Sequence, residues 1–81
     1  MKKTVRVSYF AILREQRGLT NEEVSTTAAS AAGLYEELRV RHGFTLPGSQ
    51  VRVAINDEFQ AWDSPVRDGD SLSFLPPVAG G

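Results

Sequence analysis

Apolar and polar residues alternate near both ends of this chain and take a helical period between them. Val5, Val7 and Tyr9 interleave with Thr4, Arg6, Ser8 and Phe10, which predicts a strand over 4–10 with one apolar face. Phe10 is an aromatic closing an otherwise polar face. Ala11 to Arg17 reads as a short helical segment stopped by Gly18, and 22–27 as a weaker strand around Val24 and Thr26. Ser30 is placed to cap a helix running to about His42, with Gly43 just past its end. Ala31, Leu34, Tyr35 and Leu38 share one stripe, while Glu36, Glu37, Arg39 and Arg41 face away. Gly33 weakens the first turn. Phe44 and Leu46 are expected to fold back over the helix end, and Pro47-Gly48 marks a turn.

The second half is strand-like. Val51, Val53 and Ile55 alternate with polar or small neighbours, Asn56-Asp57-Glu58 signals a hairpin, and Phe59 to Trp62 reads as the return strand. Trp62 reads as core or edge packing. Asp63-Ser64-Pro65 opens another turn, and Arg67-Asp68-Gly69-Asp70 a tight one. In the last strand Leu72 and Phe74 point one way, Ser71, Ser73 and Leu75 the other. Strand, short helix, strand, long helix and three further strands make an α+β pattern. The expected fold is a β-grasp: a mixed sheet of four to five strands with one main helix packed across one face. Val5, Val7, Leu34, Leu38, Val53, Ile55, Leu72 and Phe74 would form the core, with the first and last strands side by side mid-sheet. Residues 1–75 form the body, and 76–81 a flexible Gly-Gly tail.

Composition narrows the chemistry. Eighty-one residues make one small domain, with little to spare for a deep catalytic pocket. The absence of cysteine excludes disulfides, thiolate metal sites and a cysteine nucleophile. One histidine, His42, excludes a multi-histidine metal site, and at a helix end it reads as a capping or solvent-facing residue. Asp68 and Asp70 flank a turn glycine and read as turn chemistry, so no metal is expected. The net charge of −1 comes from well-mixed charges, with no basic stripe for nucleic acid. Lys2, Lys3 and Arg6 precede no apolar leader and no run reaches membrane-span length, so the expected location is the cytoplasm.

What remains is the ending, Pro76-Pro77-Val78-Ala79-Gly80-Gly81. Two prolines hold extended backbone and stop any ladder, and two glycines finish the chain without side chains. Six residues at about 3.3 Å each span roughly 20 Å, enough to enter a narrow channel in another protein. The one reactive group on such a thread is the terminal carboxylate, so Gly81 is the candidate working residue and Gly80 its permissive neighbour. Phe10 and Leu75, on the polar faces of two adjacent strands, would form an exposed apolar patch near the tail root. Phe59 would join it, and Arg6, Arg14 and Arg52 could ring it.

Several of these segments together resemble the small, sulfur-carrying subunit of molybdopterin synthase. The carriers are Tyr9-Phe10-Ala11 and Arg14-Glu15, Ala54-Ile55-Asn56 before a hairpin, and Asp68-Gly69-Asp70 leading to Phe74-Leu75-Pro76-Pro77-Val78-Ala79-Gly80-Gly81. The resemblance implies that Gly81 is adenylated, converted to a thiocarboxylate and used to donate sulfur to a pterin precursor. It implies a large catalytic subunit as partner, in a heterotetramer, with an interface drawn from Phe10, Leu75, Phe59 and Arg14. It also implies a ubiquitin-activating-like adenylyltransferase that uses ATP and Mg, and a sulfur donor protein. The chain itself would hold no cofactor and would not be catalytic alone. Alternatives are a thiamine-thiazole sulfur carrier, a ubiquitin-like modifier that forms isopeptide bonds, and a passive binding module.

Overall fold

A computed structural model describes residues 2–77. The elements are β1 (Lys3–Tyr9), α1 (Ala11–Arg17), β2 (Asn21–Thr26), α2 (Ala31–His42), β3 (Arg52–Ile55), β4 (Glu58–Gln60) and β5 (Ser71–Leu75), with a short 3-10 turn at Gly48–Gln50. The five strands form one mixed sheet in the order β2-β1-β5-β3-β4. β1 and β5 pair in parallel, Arg6 opposite Ser71 through Tyr9 opposite Phe74, and the other pairs are antiparallel. This is the β-grasp, with the first and last strands adjacent and β5 at the centre.

Local chemistry accounts for the boundaries. Ser30 accepts the Gly33 N–H at 3.1 Å and so caps α2, while Gly43 ends it in the left-handed region at φ 72°. A side chain at Gly33 would make ordinary contacts, so the residue there is a matter of propensity and not of space. Asn56 and Asp57 both take positive φ, 53° and 71°, as a two-residue hairpin loop needs. The return strand is shorter than its apolar content suggests and stops at Gln60. Trp62 leaves the ladder and packs on the core, its ring 5.5 Å from Tyr35 and 6.0 Å from Phe74. Gly48 makes room for it, since a Cβ there would lie 3.0 Å from the indole.

α2 lies across one sheet face, and all eight expected core residues are buried between them. Tyr9, Leu13, Tyr35, Phe44 and Val66 join them, and Tyr35 donates its hydroxyl to the Leu46 carbonyl at 2.8 Å. The Asp68–Asp70 turn is a lock on the first and last strands. Asp68 accepts the Thr4 N–H at 2.8 Å, and Asp70 accepts the Arg67 N–H at 2.8 Å and an Asn56 amide N–H at 3.1 Å. Both carboxylates therefore serve backbone and hairpin.

Candidate docking site at the root of the tail

Parallel pairing sets the position of the site. Because β1 and β5 run the same way, Phe10 and Leu75 leave the sheet at the same end. Beyond that end Phe10, Ala11, Ile12, Leu46, Leu75 and the proline pair line an open groove of about 620 Å³. Its walls are apolar apart from the Glu15 carboxylate. Phe10 and Ile12 are each 40% exposed, and because both line the same groove they form a contiguous patch and not scattered surface residues. Ala11 between them sits at φ 51°, a left-handed conformation that non-glycine residues avoid. It is the first residue of α1, which begins without a side-chain cap.

A half-buried ionic cluster begins at Tyr9, the residue before Phe10. Glu22 at the start of β2 accepts the Tyr9 hydroxyl at 2.6 Å and two Arg17 N–H groups at 2.9 and 2.8 Å. The His42 imidazole lies 3.8 Å away, only 15% exposed, so this last residue of α2 faces Glu22 and not open solvent. The Arg17 hydrogen bonds hold the Glu22 carboxyl down at about 2. Burial, then the Glu22 carboxylate, pushes the Tyr9 phenol above its ordinary range. Burial and the Arg17 charge lower the His42 imidazole. The cluster joins the end of β1, the C-terminal ends of both helices and the start of β2.

The expected interface residues separate into two places. Phe10, Leu75, Pro76 and Pro77 meet at the groove. Phe59 does not reach it: 68% exposed on edge strand β4, it lies opposite Ala54 with the Arg52 guanidinium 5.6 Å from its ring centroid. Arg14 is exposed on α1 and does not line the groove. Arg6 does not line it and turns to β2, 3.1 Å from the Asn21 side-chain oxygen and 3.9 Å from Glu23, whereas Arg52 sits opposite Leu75. Val78, Ala79, Gly80 and Gly81 lie outside the described residues. Ile12 and Leu46 complete the groove. For Ile12 the signal was weak: adjacent residues on a helix diverge by about 100°, which on a two-turn helix favours burying one of Ile12 and Leu13 without saying which.

Comparison with known proteins gives this geometry a family. The ThiS family model matches residues 7–81, from the middle of β1 through the tail. The molybdopterin synthase sulfur carrier subunit of Escherichia coli (strain K12) is 30% identical over 80 residues, covering 95% of this chain and 99% of that protein. A solved complex of subunits 1 and 2 of the molybdopterin-converting factor from Helicobacter pylori 26695 contains a chain 29% identical, with a TM-score of 0.62 over 96% of this chain and 99% of that one. SAMP1 from Haloferax volcanii is 25% identical with a TM-score of 0.77, over 96% of this chain and 99% of that one. A tail rooted on the central strand, a groove beside it and a sequence match that runs through both place this chain in the ThiS family, among the relatives of the molybdopterin synthase sulfur carrier subunit.

Proposed function

We propose that this protein is a sulfur carrier in molybdopterin synthesis and that its reagent is the carboxyl group of Gly81. The observation that carries the reading is the continuity of the family match from β1 through the groove to residue 81. A free C-terminal carboxyl ionises near about 3.5, so it is a carboxylate at neutral pH and resists substitution. Attack by its oxygen on the α-phosphate of ATP expels pyrophosphate and leaves an acyl adenylate. A sulfide-level nucleophile then adds to the carbonyl and AMP departs, leaving a thiocarboxylate. Stabilisation of the phosphate charge, by Mg and by cations, is left to the adenylylating partner. A sulfur donor protein supplies the nucleophile, and the large synthase subunit holds the pterin precursor while the tail reaches in.

The body contributes presentation. Phe10, Ile12 and Leu75 give a partner an apolar seat at the tail's base, and Pro76-Pro77 stiffen its exit. The test is co-purification from cells followed by intact mass measurement. The carrier should appear with a gain of about 16 Da, oxygen replaced by sulfur. A Gly81→Ala variant should keep its melting temperature and lose that species; sulfur loading at the ordinary level in the variant would overturn the mechanism.

The likeness to SAMP1, a small archaeal modifier protein, favours a second reading, in which this chain is a ubiquitin-like modifier whose activated tail is joined to amines of other proteins. Such a modifier would accumulate as covalent adducts, whereas a carrier would be recovered free or as the thiocarboxylate.

A further inference from the structure

The turn that locks β5 to β1 is built on the one aspartyl-glycyl pair in the chain, Asp68-Gly69. Such a pair is chemically labile. Glycine has no side chain to hinder approach, so its backbone nitrogen can add to the carboxyl carbon of the preceding side chain. The fold nevertheless needs both residues. Gly69 is the third residue of a turn closed by the Asp70 N–H on the Arg67 carbonyl at 3.1 Å, and its φ of 87° strains other L-residues. Asp68 is needed because its Oδ1 accepts the Thr4 N–H at 2.8 Å.

Thr4 also holds the other half of the pair, since the Gly69 N–H donates to its carbonyl at 2.8 Å. One residue of β1 thus occupies both the electrophile and the nucleophile. Before they can react, the carboxyl must leave Thr4 and swing about its Cα–Cβ bond. The amide must leave the Thr4 carbonyl and lose its proton. Solvent is no barrier, because Thr4, Asp68 and Gly69 are all exposed. The barrier is the pairing itself, flanked by the Lys3 Nζ on the Ala28 carbonyl at 2.7 Å and the Arg6 N–H on the Asp70 carbonyl at 3.0 Å.

We propose that Asp68 is a covalent modification site, isomerised to isoaspartate, and that the Thr4 backbone is the gate that silences it in the folded chain. The Gly69 nitrogen adds to Asp68 Cγ. One carboxyl oxygen departs as water, carrying the amide proton and one proton from solvent, and a succinimide remains. Water then adds to the Asp68 backbone carbonyl, and the bond from that carbon to the Gly69 nitrogen breaks. The chain now runs through Cγ, one methylene longer, with the former backbone carboxyl as its side group. Carboxylate and amide no longer have the spacing that meets a single Thr4, so the lock does not re-form. Opening of the first residues of β1 is thereby recorded in a covalent change. None of this depends on the activation of Gly81.

The test incubates the full chain at neutral pH, folded in buffer and unfolded in guanidinium chloride. Isoaspartate is counted by enzymatic methyl transfer and placed by electron-transfer fragmentation of the intact chain. It should form at Asp68 roughly ten times faster or more in the unfolded chain. Thr4→Pro removes the N–H and keeps the carbonyl, and should speed the reaction severalfold in a chain whose melt shows it folded. Thr4→Val keeps both backbone groups and should match the parent. In the parent, isomerisation and hydrogen exchange of the Gly69 amide should rise together as guanidinium is added below the unfolding transition. Equal rates folded and unfolded, isoaspartate at Asp57, Asp63 or Asp70 ahead of Asp68, or a folded Thr4→Pro chain with the parent's rate would each overturn the proposal. So would a rate that stays flat while the Gly69 amide opens.

Discussion

Ala11, in the wall of the groove, holds a backbone angle that L-residues avoid. At φ 51° an L-residue is disfavoured by about 1–2 kcal/mol, and no side-chain cap offsets that cost here. Because Ala11 is exposed, its strain can be tested without disturbing the core. Ala11→Gly relieves the clash but adds about 0.5–1 kcal/mol of unfolded-state entropy, so it should be neutral or stabilise by up to about 1 kcal/mol. Ala11→Val should destabilise by about 2 kcal/mol, more than the helix-propensity gap of less than about 0.7 kcal/mol allows. Urea melts ordered Gly, Ala, Val from most to least stable would establish the strain. The ordinary helical order, with Ala first, would remove it.

Between elements, the Glu22 cluster is the main electrostatic joint. The folded carboxyl titrates at about 2, below its unfolded value, so its stabilisation is complete above that unfolded value and is lost as pH falls toward 2. The lowered His42 imidazole acts in the same sense: protonation favours the unfolded chain, and stability gained above the unfolded pKa declines as pH falls through the folded one. Arg17, Arg41 and Glu22 are the charges bearing on that imidazole. Thermal melts should therefore fall steadily from neutral pH into the acid range. Glu22→Gln should flatten the acid part of that profile and cost about 1–3 kcal/mol at pH 7, because Arg17 loses its charged partner in a half-buried site. A variant with the parent's acid slope would show that the joint lies elsewhere. The elements it joins follow from periodicity alone, to within a residue or two at each end. β4 is the exception: it ends at Gln60, short of the return strand expected to Trp62, while Trp62 itself packs on Tyr35, in keeping with its reading as core or edge packing.

At the scale of the molecule, much of the fold could be read from alternation, caps and turn residues, because each acts over a few positions. Val66 escaped for the opposite reason: it is a lone apolar residue among turn neighbours, buried by what folds over it, while Leu13 follows Ile12 in a helix too short for its pattern to say which of the two faces inward. The docking site divides along the same line. Phe10 and Leu75 come together because strand pairing is foreseeable, whereas Phe59 is held apart by a hairpin whose position on the sheet edge depends on strand order. Phe10→Ala should therefore weaken binding to the large synthase subunit by roughly 10- to 100-fold, the equivalent of burying one aromatic side chain. Phe59→Ala should have a smaller effect, and isothermal titration of both variants would rank them; equal losses would show that the partner spans groove and edge. The central place of β5 has one more consequence. Whatever grips the tail and pulls must slide β5 past β1 on one side and β3 on the other, breaking both rows of hydrogen bonds together and not unzipping them in turn. A load on the tail is therefore carried by two ladders in shear at once, one parallel and one antiparallel.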